Sequence, residues 1–331
     1  MSEARRILVR APNWLGDAVM AIPAMAAVRR AFEGRSVVLA ALSSIAPLFE
    51  EITPAAPDEI LAIDRTTERR QLQAAQADAI LLMANSFGSA WVASRSGIEE
   101  RWGYAAGGRG FLLTRRAPRP RRPVHQVQYY LDLVRGLGID AADDRPRLAP
   151  QPATLAKADA LLLQAGAPPG MPIVGFAPGA AYGHAKRWPP DRVAQVIAGL
   201  ARQGMAALLV GAEPDRATGR AIESSLPAAT PLVNLIGRTT LRQLVGVIAR
   251  CGAFVSNDSG GMHVAAALGI PLTAIFGPTD ERATRPAGDA DVIVRDVFCR
   301  PCMLRECPID HRCMKRIDAD TVLRSVMAHL G

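Results

Sequence analysis

The sequence predicts an α/β protein of two domains, each a parallel sheet with helices on both faces. Three observations carry this. Apolar runs of strand length alternate with amphipathic helical stretches along the chain, the pattern of parallel strands joined by helical crossovers. The 331 residues are about twice a usual domain, enough for two hydrophobic cores. Residues 140–152 (DAADDRPRLAPQP) are charged and proline-rich with little to bury, the composition of an interdomain linker. The predicted domains are therefore 1–150 and 151–331.

In chain order, residues 6–10 (RILVR) read as a short buried strand and 17–32 as an amphipathic helix carrying Pro23 in its second turn. A strand follows at 36–42, a helix near 45–51, a strand at 59–64, a polar helix at 66–76 and a strongly apolar strand at 79–83. Residues 115–122 (RRAPRPRR), with five arginines and two prolines, break the rhythm before a helix at 124–136. In the second half, strands are expected at 173–177, 205–211, 232–235, ending at 254–256, and at 272–276. Helices are expected at 191–202, 214–226, 260–268 and 318–329, with another to Arg250 capped by Thr239 or Thr240. Two such domains would bind ligand in a cleft at the carboxyl ends of their strands.

Hydrophobic residues at 49% and charged residues at 21% exclude a disordered or fibrous chain, and 5% aromatics make the cores mostly aliphatic. Lys and Arg number 39 against 31 Asp and Glu, a net charge of +8. The two predicted domains carry 20 against 16 and 19 against 15 of these charges, so no single half is a polycation. With aromatics scarce and the one dense basic run proline-broken, nucleic acid is not an expected partner; anionic ligands or an anionic surface are. No apolar run has the length of a membrane span, so no transmembrane segment is expected and the chain reads as soluble and cytoplasmic.

Four constellations could carry chemistry. Residues 11–17 (APNWLGD) join the first strand to the first helix and bring Asn13, Trp14, Gly16 and Asp17 together. Asp17 fits a helix cap, and it equally fits a cleft carboxylate that takes a proton from a hydroxyl. G-x-G-x-x-G is absent, so this is no dinucleotide fingerprint. Residues 177–188 (APGAAYGHAKRW) combine small residues with Lys186, one of only three lysines, and Arg187. A solvated basic loop and a diphosphate grip both suit them; Walker A does not.

Residues 256–263 (SNDSGGMH) enter a helix, where Asp258 and Ser259 suit capping and Gly260 and Gly261 expose amides at a positive dipole end. His263 reads as a structural histidine or as a donor to a phosphate. Glu213, in the loop 211–215, suits a solvated carboxylate or an acceptor of ribose hydroxyls. Lastly, Cys299, Cys302, Cys307 and Cys313 lie as C-x2-C-x4-C-x5-C, with His311 beside the last. That density suits a structural Zn²⁺ or Fe–S site, and reduced thiols or a labile disulfide as well. The cluster is expected away from every phosphate-binding feature. Cys251 reads as a small buried hydrophobe.

Taken together, PNWLGD (12–17), NSFGSA (85–90), RWGY (101–104), PGAAYGHAKRWP (178–189), NLIGRTT (234–240) and NDSGGMHVAAALG (257–269) resemble the ADP-heptose lipopolysaccharide heptosyltransferases, glycosyltransferase family 9, and most closely their heptosyltransferase II branch. The resemblance runs over nearly the whole chain. It implies a GT-B fold, two Rossmann-like domains facing across a central cleft, with the acceptor held mainly by the first and the sugar nucleotide mainly by the second.

The reaction implied is inverting transfer of L-glycero-D-manno-heptose from ADP-heptose to the first heptose of the lipopolysaccharide inner core, with no cofactor for catalysis. The acceptor would be heptosyl-Kdo-lipid A at the inner membrane face. Carried over, the resemblance makes Asp17 the catalytic base. Lys186, Glu213, Asp258, Ser259, Gly260, Gly261 and His263 would bind the donor, and Asn13, Trp14, Asn85 and Arg101 the acceptor. Residues 115–122 suit contact with that membrane face or a solvated loop. Heptosyltransferase I, another sugar-nucleotide transferase of the same fold, and a non-catalytic nucleotide-sugar-binding protein are the alternatives.

Overall fold

The computed structural model describes residues 4–142 and 144–331. The chain forms two compact units, Met1–Ala149 and Pro150–Gly331. In the first, β1 (Arg6–Arg10), β2 (Ser36–Leu42), β3 (Glu59–Ile63), β4 (Ala79–Leu82), β5 (Glu100–Tyr104) and β6 (Arg115–Ala117) form one sheet in the order β3-β2-β1-β4-β5-β6. Every pairing is parallel. In the second, β7 (Ile173–Ala177), β8 (Ala206–Leu209), β9 (Leu232–Asn234), β10 (Ala253–Asn257), β11 (Leu272–Ile275) and β12 (Ala290–Ile293) are ordered β12-β11-β10-β7-β8-β9, again all parallel.

Read from its other edge, the second order repeats the first: each unit is a doubly wound sheet with strand order 3-2-1-4-5-6. In each, the chain turns outward in opposite directions from the central pair, β1 with β4 and β7 with β10. That pair flanks the crevice where ligands bind in such sheets.

The central strands are continuous apolar runs because helices cover both faces. Ile7, Leu8 and Val9 of β1 and all four residues of β4 are essentially inaccessible. Leu8, Val38, Ile80 and Leu82 anchor one core; Phe176, Trp188, Val196, Met314 and Val322 anchor the other. Cys251 is buried against Val247, and burial pushes its thiol up to about 12, the behaviour of a small hydrophobe.

Several elements depart from the sequence reading. The expected helix at 17–32 is two helices, Leu15–Met20 and Ile22–Ala31, because Pro23 has no N–H to continue the ladder. The helix expected near 45–51 is one 3-10 turn, Ala46–Glu50. The arginine run contains β6, an edge strand whose Arg115 lies over buried Trp102 and bonds Leu137 O; charge and a following proline are ordinary protection for a sheet edge. Of the expected linker 140–152, Asp143 lies outside the described residues, Ala149 pairs with Ile52, and Pro152 opens the helix Pro152–Gln164. No helix among the described residues is long and apolar enough to cross a membrane.

Candidate active site

In the first unit the candidate residues leave the carboxyl ends of the central strands. Arg10 ends β1 buried, pairs with Glu68 at 2.8 Å, donates to Ala11 O, and holds Asn13 through its side-chain oxygen at 2.8 Å. Trp14 takes the cap position of the next helix with its ring exposed and no side-chain cap bond. Asp17 is the third residue of that helix and so is not its cap residue. Its Oδ1 accepts from the Tyr130 hydroxyl at 3.3 Å. Burial, and next the Asp17 charge, push the Tyr130 phenol well above its ordinary range, so it stays a donor.

The helix Gln126–Gly136 carries Tyr130 and Tyr129 in sequence, and each reaches a different strand end. The Tyr129 hydroxyl accepts from Asn85 Nδ2 at 3.2 Å, while Asn85 Oδ1 accepts from Arg109 Nη2 at 2.9 Å. Arg109 is fully buried and also bonds Ala84 O and Tyr104 O. Arg119, from the arginine run, stands over the Tyr129 ring at 5.8 Å.

The structure thus brings Asn13, Trp14, Asp17 and Asn85 to the ends of neighbouring strands. It does not bring Arg101 there. Arg101 pairs in register with Ile80, short of the strand end, and its guanidinium is committed to the carbonyls of Ile98, Glu99 and Leu112. The arginine at the strand ends is Arg109. Arg109, Arg10 and the two tyrosines were missed in the sequence. A usable signal existed: of only four tyrosines in the chain, Tyr104, Tyr129 and Tyr130 meet here.

The second unit repeats the plan with opposite charge. Asn257, ending β10, ties down both ends of the loop after β7, donating to Pro178 O at 2.6 Å and accepting from Trp188 N at 3.3 Å. Lys186 Nζ meets Asp258 Oδ2 at 2.5 Å, and the Thr279 hydroxyl donates to the same oxygen at 2.7 Å. Arg187 pairs with buried Asp215 at 3.0 Å. A Cβ on Gly179 would overlap that carboxylate, so only glycine fits there.

Ser259 occupies the cap position of the helix Gly260–Ala267 and makes no side-chain cap bond, pairing with Ser256 Oγ at 3.2 Å. Gly260 and Gly261 therefore open the helix without a serine oxygen on their amides. His263 is buried one turn in. Glu213 follows β8 on a short 3-10 turn, its side chain 67% exposed and paired with Arg216 at 2.8 Å. One unit thus offers a carboxylate supported by a phenol. The other offers a lysine, an arginine and a helix N-terminus, the makings of an anion grip.

Residues 65–312 match the family model described as glycosyltransferase family 9 (heptosyltransferase). The chain belongs to that family. It is 32% identical to lipooligosaccharide heptosyltransferase 2 of Haemophilus influenzae over 312 residues, 87% of this chain and 88% of that protein. It is 32% identical to lipopolysaccharide heptosyltransferase 2 of Escherichia coli K12 over 306 residues, 88% of each. The solved structure of E. coli ADP-heptose lps heptosyltransferase II superposes with a TM-score of 0.84 at 29% identity, covering 98% of both chains. The two Rossmann-like sheets are those of a GT-B glycosyltransferase.

Two expectations about the cysteines of this glycosyltransferase are corrected. All five thiols are free, and among the described residues no three His, Cys, Asp or Glu side chains converge as a metal ligand set, so the structural Zn²⁺ or Fe–S site is not supported. Cys313 is buried on the helix Arg312–Lys315, whereas Cys299, Cys302 and Cys307 are half-buried in the loop before it, and Cys307 Sγ accepts from His311 N. Burial, and then the neighbouring Cys299 and Cys307, push the Cys313 thiol up. Nor is the segment remote: it bonds directly to the loop that carries Lys186.

Proposed function

We propose that this enzyme transfers heptose, with inversion, from ADP-heptose to the first heptose of the lipopolysaccharide inner core, as a heptosyltransferase II. The observation that carries the chemistry is the pairing of functions at the two switch points: a supported carboxylate in one unit and a cationic grip in the other. Asp17 removes the acceptor hydroxyl proton as that oxygen attacks the anomeric carbon. The bond from that carbon to the phosphate oxygen breaks, and the electron pair leaves on ADP. Lys186, Arg187 and the amides of Gly260 and Gly261 take up the charge that develops on the diphosphate. Asp258 and Thr279 orient Lys186, and Glu213 receives the nucleoside or sugar hydroxyls. Asn13, Trp14 and Asn85 contact the acceptor. That the relatives named heptosyltransferase 2 align over most of their length supports the choice of the mono-heptosylated acceptor.

We place the enzyme in the cytoplasm at the inner face of the membrane that carries its glycolipid acceptor. Phe87, Trp91 and Phe111 are exposed and cluster, with ring centroids 6.4 and 6.2 Å apart and Arg95 over Trp91. Residues 85–122 hold eight arginines against Glu99 and Glu100; Arg109 is buried and Arg101 is spent on carbonyls, which leaves Arg95 and the five arginines of 115–122 in the same stretch. Aromatics among arginines suit an anionic lipid surface.

The deciding experiment offers ADP-heptose with core acceptors carrying no heptose or one. Turnover on the mono-heptosylated acceptor alone is expected. Turnover on the bare Kdo acceptor would make the enzyme a heptosyltransferase I, and tight ADP-sugar binding with no turnover on either would make it a binding protein.

A further inference from the structure

The segment 300–311, which contains Cys302 and Cys307, touches both loops that shape the Lys186 grip. From one side it takes both main-chain groups of Ala185, the residue before Lys186. Ala185 N donates to Arg305 O at 2.9 Å, and His311 Nε2 donates to Ala185 O at 2.6 Å. The Tyr182 hydroxyl donates to Met303 O at 2.8 Å, and two cations stand over the Tyr182 ring, Lys186 Nζ at 4.7 Å and the Arg305 guanidinium at 5.3 Å from its centroid. Gly183 presses on Arg305 O so closely that a Cβ would overlap it.

From the other side, Arg300 fixes the loop after β11. Its Nε donates to Gly277 O at 2.7 Å and its Nη2 to Thr279 O at 3.0 Å, and Glu281 pairs with it at 2.5 Å. Thr279 is buried and its hydroxyl donates to Asp258 Oδ2, the oxygen that meets Lys186. An unbroken chain of bonds therefore runs from Arg300 through Thr279 and Asp258 to Lys186, and a second runs from His311 through Ala185 to the same lysine.

We infer that Arg300 and His311 are positioning residues for the donor diphosphate, setting where the Lys186 ammonium stands without touching the ligand themselves. The physical need is clear. A lysine has four rotatable bonds and a compact charge, so its value to a departing diphosphate depends on being held before the ligand arrives. Asp258 alone cannot do this unless its own carboxylate is fixed. Thr279 fixes it, and Arg300 fixes Thr279. The segment therefore braces both loops beside Lys186. This inference rests on the reading of Lys186 as part of the donor site.

The test is calorimetric titration of ADP into the full-length enzyme, below the melting temperature of every variant, with Lys186→Ala, Arg300→Ala, His311→Ala, His311→Gln and the double variant Lys186→Ala/Arg300→Ala. Lys186→Ala is expected to weaken ADP by about tenfold or more, and Arg300→Ala and His311→Ala by about five- to tenfold. His311→Gln, which keeps a donor to Ala185 O, should recover most of that loss. The double variant should bind ADP no more weakly than Lys186→Ala alone, because Arg300 acts through Lys186. Acceptor KM should not move.

Losses that add in the double variant, or Arg300→Ala and His311→Ala proteins with normal ADP affinity beside a weakened Lys186→Ala, would overturn the inference and leave the donor site standing. Normal ADP affinity in Lys186→Ala would overturn both. Should Arg300→Ala fail to fold, the two His311 variants carry the test.

Discussion

Replacing Tyr130 by Phe deletes one hydroxyl and nothing else, and that hydroxyl donates to Asp17 Oδ1 at 3.3 Å. Tyr130 is 3% exposed, so the space its hydroxyl leaves is closed to bulk water, while Asp17 itself is half-buried. A hydrogen bond to a charged group contributes about 1.5–3 kcal/mol, and at this length the bottom of that range or somewhat less, about 1–1.5 kcal/mol, is the appropriate figure. At 1.36 kcal/mol per unit, that is about one pKa unit on the carboxyl group. The bond favours the charged form, so its loss raises the Asp17 pKa. Protonation then removes the base at higher pH than before. The assay is the pH dependence of kcat/KM for the acceptor at fixed ADP-heptose. The acid limb should move up by about one unit, lowering the rate up to about tenfold below the limb while the plateau stays within about twofold. Tyr130 itself cannot supply this limb, because its phenol is held well above its ordinary range. A limb that stays in place, or moves to lower pH, refutes the claim that this hydroxyl tunes the base.

Other outcomes follow from the same geometry. Asp17→Asn should lower turnover by about 10²-fold or more with ADP affinity nearly intact, and near-normal turnover would remove Asp17 from the base role. Activity should survive exhaustive dialysis against a chelator; a loss that Mg²⁺ restores, in protein still folded by circular dichroism, would replace the cationic grip with a metal. Asp318→Ala, which removes the cap of the last helix, should cost about 1 kcal/mol and a few degrees in Tm at neutral pH. Bonds from the Thr321 hydroxyl and N–H hold that carboxyl down to about 2, below its ordinary 3.8, so its contribution is complete above pH 3.8 and is lost as pH falls through 2. The gap between wild type and variant in acid melts should therefore close over that window; a gap constant down to pH 2 would contradict it.

Much of the fold was legible because its central strands announce themselves. RILVR, SVVLAAL and IVGFA are short apolar runs between helical stretches, and they are β1, β2 and β7. What stayed hidden was one side of each sheet, the interior β5 with the edge β6 in the first and the edge β12 in the second, whereas the opposite edges β3 and β9 were read. β6 is three residues long with two arginines, and β12 is ADVI in a glycine- and aspartate-rich stretch. Edge strands bury one flank at most, so their composition is selected against association as much as for pairing, and periodicity fades there. The break in the helix at 17–32 was visible as Pro23, but only the geometry of the missing N–H shows that it divides the helix at Ala21.

The candidate site divides in the same way. Motifs that lie on one loop were readable, since Lys186 with Arg187, and Asp258 through Gly261, are each contiguous. Partners that arrive from distant sequence were not. Thr279 reaches Asp258 across 21 positions, Tyr130 reaches Asp17 across 113, and His311 reaches Ala185 across 126. Residue type gave no help in choosing between Arg101 and Arg109, because both sit in the same glycine-flanked stretch and carry the same charge. The difference lies in where each guanidinium is spent. Arg101 serves three carbonyls short of the strand end, while Arg109 is buried beneath Asn85 and aims that side chain. Charge alone does not separate the two arginines; the hydrogen bonds each makes inside the protein do. The cysteines teach the same lesson in reverse, for their spacing suggested a metal, while the carbonyls and side chains between them turned out to be occupied in holding the loop of Lys186.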